Sequence, residues 1–312
     1  MTAVTTAERA APPAPSGPRG GRRRSLTHPP RVGLLLVAPA LVMIGVFVLA
    51  PLLFALGISF TNWPLIGEVG FTGLTNYVSI GSDLGFLRAV LYTLLYTGIV
   101  TLPILVLGYA LAVLVRSRRR GATLLRTVFF LPFVVGLTTL SFITLLEAQP
   151  NSGAINLVLA ALGITDGSTA WLVDGPLATV LVSVLVIWGV SGLTMLLLMG
   201  GMQAIPREVY ESADLDGASW WQQEWRITIP MLRRTIAMSL VISVIGSLLA
   251  FTQFYILTQG GPGSATATVV LYIYKRAFVQ LQLGAATALS VVLVVVIALV
   301  TALQMWLVRG EE

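Results

Sequence analysis

Six stretches of this chain contain no Asp, Glu, Lys or Arg, and they constrain its fold more than any other feature. They span residues 33–60, 89–115, 127–146, 177–202, 235–257 and 284–308. Crossing the hydrocarbon core of a bilayer as a helix takes about 20 apolar residues, and each stretch meets that need. A helix also satisfies its own backbone hydrogen bonds where no water is available to do so. Composition agrees: 56% of the 312 residues are hydrophobic and 10% charged, against roughly 45–50% and about 25% in soluble domains. The expected fold is all-α and integral to the membrane, with six transmembrane helices. A first helix covers 32–60 and a core covers 88–308, with loops too short for a second domain.

The basic residues orient this bundle. With the N-terminus inside, Arg9, Arg19, Arg22, Arg23, Arg24, Arg31, Arg116, Arg118, Arg119, Arg120, Arg126, Arg207, Arg226, Arg233, Arg234 and Arg309 fall on the cytoplasmic side. Only Arg88, Lys275 and Arg276 fall outside. Cytoplasmic loops carry the Lys and Arg excess, so both termini are expected in the cytoplasm. The net charge of +6 is then a topology signal, and basic flanks favour the anionic inner leaflet. No soluble basic module is left to bind nucleic acid. The absence of cysteine removes disulfides, thiol ligands and thiol nucleophiles.

Residues 1–31 are rich in Ala, Pro, Gly and Arg without apolar periodicity, and are expected to form a disordered cytoplasmic tail. The apolar stretch after them exceeds the 7–15 residues of a signal-peptide core, so it reads as a retained first helix. Pro39 and Pro51 lie within it. Outside, 155–164 is apolar but too short to span, and is expected to lie in the interface or cap the bundle. Ser183, Gly189, Ser191, Gly192, Gly200 and Gly201 line the fourth span with small side chains, which lets helix backbones approach closely.

Between the fourth and fifth spans lies a polar island, 205–230, holding five of the thirteen acidic residues: Glu208, Glu211, Asp214, Asp216 and Glu224. Pro206 suits the first turn of a helix, and Glu208 and Glu211 favour the positive end of that helix dipole. Asp216 and Gly217 mark a turn. Ser219 and Gln222 fit a capping box that starts a second short helix through Trp220, Trp221 and Trp225. Pro230 closes the segment before the fifth span. A helix that merely lies on the membrane surface should be basic, whereas this one is acidic at its centre. The expected role is docking to another protein, with Ser212, Ala213 and Ala218 allowing close approach and Glu211 and Asp214 supplying charge.

The island resembles the EAA loop of permease subunits of binding-protein-dependent ABC importers, a pattern of roughly E-A-A-x-x-D-G-A with a later I-x-L-P. Glu211, Ala213, Asp216, Gly217, Ala218, Ile227 and Pro230 match it, with Ser212 replacing the first Ala and Ile229 the Leu. Trp188, Gly189, Met195, Gly201, Gln203, Ile205 and Pro206 before the loop resemble the sugar-permease branch. So do Pro39, Pro51, Ser59, Phe60, Trp63, Gly73, Leu74, Asn76 and Tyr77. Leu257 to Pro262, continuing to Tyr272, Ile273, Tyr274 and Phe278, resemble maltose-permease-F-like subunits, and the similarity runs from about 32 to 308.

The resemblance implies a type I ABC importer permease fold with cytoplasmic coupling helices, in a bacterial plasma membrane. It implies a partner permease, two ATPase subunits and an extracytoplasmic binding protein. Glu211, Ser212, Ala213, Asp214, Asp216, Gly217, Ala218 and Pro230 would form the ATPase-coupling site, and Gly260, Gly261 and Pro262 a contact for the binding protein. Trp188, Ser191, Thr194, Thr252, Gln253 and Tyr255 are candidates for the substrate pathway, with bundle packing as the alternative role for each. The chain has no G-x-x-x-x-G-K-[ST] segment, so ATP and Mg2+ would be used by the partner, with no cofactor bound here. The implied cargo is a mono- or oligosaccharide; a glycerol-3-phosphate or glycerophosphodiester importer is the alternative. A stand-alone secondary transporter would require intramembrane charge, and an intramembrane enzyme a titratable cluster; the spans carry neither.

Overall fold

The computed structural model describes residues 30–64, 67–116 and 121–309. The tail 1–29 and the basic residues Arg118, Arg119 and Arg120 lie outside the described residues. The chain divides into Met1–Leu52 and Leu53–Glu312. In the first unit, α1 (Pro30–Ile44) passes into a π turn, Gly45–Leu49, and continues as α2 (Ala50–Ile58), which carries the chain onward. Pro51 has no N–H for the turn before it, and the register shift falls there, with Ala50 N–H bonded to Gly45 O.

The regular elements of the second unit are all helices among its described residues, with isolated bridges joining Thr61 to Phe71 and Pro64 to Gln282. A short α3 (Thr75–Ile80) precedes α4 (Leu84–Val115). The chain continues through α5 (Ala122–Val135), α6 (Leu137–Glu147), α7 (Ala154–Ala161) and α8 (Gly175–Gln203). On the far side of α8 come α9 (Arg207–Leu215), α10 (Trp220–Gln223), a π turn (Glu224–Thr228) and α11 (Ile229–Met231). Last are α12 (Arg233–Leu248), α13 (Thr252–Leu257), α14 (Val269–Tyr274) and α15 (Leu283–Arg309). Among the described residues, five helical segments are long and apolar enough to cross a membrane, and α5 with α6 make a sixth if taken together.

The core forms around α4 and α8. Tyr96, Val100 and Ile104 of α4 bury against Val182, Leu185 and Val186 of α8, joined by Leu140, Phe254 and Leu271. The Tyr96 and Phe254 rings meet edge to face at 4.9 Å. Glycine permits the closest approach. A Cβ on Gly108 of α4 would come within 2.6 Å of Thr194 Cγ2, and one on Gly192 of α8 would collide with the Phe129 carbonyl of α5. A second buried cluster, Ala112, Val115, Met195, Leu198, Met202 and Leu232, closes the end of the bundle nearest the polar loop.

Two apolar windows are interrupted. The span expected over 127–146 is a pair of helices bent by 90°. The joint is Gly136 at φ 85°, ψ 148°, a backbone region nearly closed to residues with a Cβ. The span expected over 235–257 stops at Leu248 and restarts at Thr252. A carbonyl left free at that break, Ala250 O, accepts from the Thr268 hydroxyl at 2.7 Å, as broken membrane helices require. In contrast, α4 starts five residues ahead of its apolar window, because Asp83 caps it by accepting from Phe86 N–H at 3.1 Å.

The apolar segment near 155–164 folds as α7 and is pinned by Asn156, which is fully buried. Its amide donates to the carbonyls of Ala148, Gln149 and Thr169, and its oxygen accepts from Trp171 Nε1 at 2.9 Å. One side chain thus ties together both ends of the segment between α6 and α8.

Candidate functional site: the loop between the fourth and fifth spans

The polar island folds into two short helices with defined ends. Pro206 takes the N-cap position of α9, at φ −59°, ψ 141°, rather than the first helical turn expected for it, and Glu208 occupies that turn. The Asp-Gly-Ala run is the C-terminal cap. Gly217 sits at φ +74° and donates to Asp214 O at 3.1 Å, while Ala218 N–H donates to Ala213 O at 2.9 Å. This is the Schellman pattern, which calls for glycine at the left-handed position. The expected capping box is present as well: Gln222 N–H reaches Ser219 Oγ at 3.4 Å, and Gln222 Oε1 accepts from Ser219 N–H at 2.7 Å.

Side chains then fasten the two helices to each other. Gln223 Nε2 donates to Asp214 Oδ1 at 2.6 Å and to Ala218 O at 3.1 Å. Tyr210 of α9 and Thr228 of the π turn share a hydroxyl contact at 3.0 Å. Asp214, expected to face a partner, therefore also holds α10. Ala213 is buried, so its small side chain closes the cap instead of contributing to the outer surface. Pro230 starts the turn of α11 that leads into α12.

What remains outward on α9 is a compact mixed surface. Glu211 is more than half exposed and pairs with Arg207 one turn earlier at 2.7 Å. Ser212 is exposed, and its hydroxyl donates to Val209 O at 3.0 Å. Leu215, the last residue of α9, is a large apolar side chain left 90% exposed. Its role is not signalled by the motif; the pointer is a leucine among polar residues, followed at once by a helix stop.

Glu224 is the other residue that sequence reasoning left unassigned. It is 2% exposed, accepts from Tyr109 Oη at 2.6 Å and pairs with Arg116 Nη2. Tyr109 lies on α4 and Arg116 is its C-cap, seven residues on and so on the same helix face. Beside it, Trp220, Trp221 and Trp225 rim an apolar groove of about 530 Å3 that reaches Tyr109 and Val113 of α4.

The candidate pathway residues fall into two groups. On α8, Ser191 and Thr194 are buried, with Thr194 against Gly108, whereas Trp188 is 53% exposed. On α13, Thr252, Gln253 and Tyr255 follow directly on the helix break. Gln253 is buried and donates to Tyr96 Oη at 3.3 Å. Tyr255 stacks on Phe251 with ring centres 5.2 Å apart and a 20° interplanar angle, and its edge meets Tyr274 at 5.3 Å.

Between α13 and α14, Gly260 is buried at φ +81°, Gly261 precedes Pro262 through a cis bond, and Pro262 is exposed. Thr266 Oγ1 lies 2.6 Å from Gly261 O and 2.8 Å from Thr258 Oγ1, within hydrogen-bond distance of both, and Lys275 Nζ donates to Gln259 O at 2.6 Å. Nearby, Tyr272 donates to both Asp83 oxygens at 2.7 and 2.9 Å. Burial, aided by that carboxylate, pushes the Tyr272 phenol above its ordinary range.

Helices long and apolar enough to cross a membrane, with a capped polar loop between two of them, define a multi-pass membrane protein. The model for binding-protein-dependent transport system inner membrane components matches residues 82–311, and the chain belongs to that family. It is 32% identical over 279 residues to the multiple sugar-binding transport system permease protein MsmF of Streptococcus mutans, covering 89% of this chain and 94% of that one. Against the lactose transport system permease protein LacF of Rhizobium radiobacter it is 33% identical over 286 residues, covering 90% and 95%. The fold matches a chain of a bacterial ABC transporter involved in import of the acidic polysaccharide alginate. That match has a TM-score of 0.78 at 21% identity and covers 90% of this chain and 96% of the other. The architecture is that of a type I ABC importer permease.

Proposed function

We propose that this chain is one of two permease subunits of an ATP-driven importer for a carbohydrate handed over by an extracytoplasmic binding protein. The observation that carries this reading is the 205–230 loop, a doubly capped helix pair that turns Glu208, Glu211 and Leu215 outward. A rigid helix with an apolar corner and an acidic face fits a groove with an apolar floor and basic rim. Two ATPase subunits provide such grooves, one per permease, and bind the ATP and Mg2+; this chain binds no cofactor. Glu211 pairs with a basic side chain there, and Ser212 permits close approach. Asp214, Asp216, Gly217 and Ala218 keep the loop rigid, and Pro230 passes its motion to α12.

Both termini and this loop are cytoplasmic, and Gly260, Gly261 and Pro262 face the binding protein on the other side. The proposal of a carbohydrate cargo is supported by relatives named for sugar and lactose transport. The apolar windows also lack charge to meet an anionic solute. Tyr255 and Phe251 offer ring faces beside the hydrogen-bonding Thr252 and Gln253, a combination suited to hydroxyl-rich rings. The test is ATP-dependent uptake by the reconstituted complex with its binding protein, using labelled mono- and oligosaccharides and glycerol 3-phosphate. Accumulation of a neutral sugar is expected. Accumulation of glycerol 3-phosphate alone, or uptake without ATP, would overturn the reading.

A further inference from the structure

Glu224 is the one acidic side chain that the described structure buries, and its position suggests a task beyond docking. Removing a carboxylate from water is unfavourable unless hydrogen bonds and an opposite charge replace the solvent. Tyr109 and Arg116 of α4 do so here. A buried pair of this kind is weak evidence for stability, and its best-attested use is to fix one geometry among several.

The geometry fixed here concerns three spans. The loop continues directly from α8 at one end and into α12 at the other. Covalent continuity therefore passes any displacement of α9 to α8 and α12. The chain does not link it to α4, and the ion pair does. Arg116 stands at the C-cap of α4, where a cation also suits the helix dipole. Glu224 opens the π turn whose last residue, Thr228, meets Tyr210 of α9. Gln223, immediately before it, holds Asp214 of α9. One turn of chain thus grips α9 on one side and α4 on the other, and π turns recur at working positions in helices.

We propose that Glu224 is a positioning residue through which movement of the α9–α10 loop is passed to α4, so that α4, α8 and α12 move together. The proposal rests on the loop receiving force from an ATPase. The groove-facing residues Glu211 and Leu215 are not involved in the tie. Loss of the tie should leave ATPase binding intact and remove only the response of α4.

The chain has no cysteine, which makes single-site labelling clean. Leu114 near the end of α4 and Met238 on α12 are both more than half exposed. An environment-sensitive fluorophore is attached at Leu114→Cys or at Met238→Cys in the full chain, assembled with the partner subunits it co-purifies with. ATP with Mg2+ is the probe. Both labels should respond in the otherwise unaltered chain. With Glu224→Gln, of nearly the same shape, the Leu114 response should fall at least threefold. Subunit association, ATP hydrolysis and the Met238 response should be retained. Exchanging the pair, Glu224→Arg with Arg116→Glu, should restore part of the Leu114 response.

An unchanged Leu114 response in Glu224→Gln overturns the proposal. Equal loss at both labels overturns it too, because that is general disruption. If the chain with Glu224 intact binds no ATPase, the functional reading itself has failed, and the proposal falls with it in a distinguishable way.

Discussion

At Gly192 a single added methyl group would run into the carbonyl oxygen of Phe129, whereas at Gly200, two turns along the same helix, it would meet nothing within 4 Å. The sequence presents both as members of one small-residue stripe; only the neighbouring backbone tells them apart. Gly192→Ala is expected to lower stability by about 1–3 kcal/mol through overpacking. Gly200→Ala should be neutral, or stabilising by up to about 1 kcal/mol, because it removes backbone freedom from the unfolded chain. Thermal unfolding of the two variants in detergent checks this, and equal midpoints would contradict the close α5–α8 contact. The same blindness to distant partners hides Glu224: its ion-pair partner is 108 positions away, so in the sequence it is one more loop charge. Glu211 is the opposite case, legible as exposed because its motif neighbours are all local.

The short helices of the loop are legible almost to the residue, because caps are local chemistry. Asp-Gly-Ala supplies a left-handed turn, and Ser219 with Gln222 a reciprocal box. Gly217→Ala should cost about 1–2 kcal/mol of loop stability through its φ of +74°. Its expected signature is faster hydrogen exchange over 207–218 without loss of the bundle, and unchanged protection there would contradict the Schellman cap. The breaks in the long spans are less legible. Counting apolar residues detects the charge-free windows but not their backbone path, so Gly136 and the pause before Thr252 pass as parts of continuous helices. Their signals are present only as a glycine near Pro132 and as polar residues beside the Phe251 aromatic cluster. Asn156 is similarly quiet, since its role depends on three carbonyls and an indole that the fold brings to it.

The bundle as a unit follows from hydropathy: the apolar windows come from physics that acts on every segment alike, and the basic residues supply an expected side for each loop. The proposed topology places Glu208 inside and Asp166 outside. In a chain without cysteine, Asp166→Cys should react with a membrane-impermeant maleimide on intact cells, and Glu208→Cys only after permeabilisation. The reverse pattern would invert the bundle and remove the loop from any cytoplasmic partner. Substrate choice is the least legible property, because the candidate pathway residues double as packing groups on α8 and α13. The loop between the fourth and fifth spans is far better defined, by caps, exposed side chains and its tie to α4.

Whether that loop holds an ATPase is measured most directly by co-purification with Glu211→Lys. Its local pair with Arg207 is worth only about 0.3–0.5 kcal/mol, so the fold and unfolding midpoint should be unchanged. Charge reversal at the docking face should weaken ATPase retention at least tenfold, about 1.4 kcal/mol. A Glu211→Lys chain that keeps its full complement of ATPase, with ATP hydrolysis undiminished, would contradict the docking role of the loop.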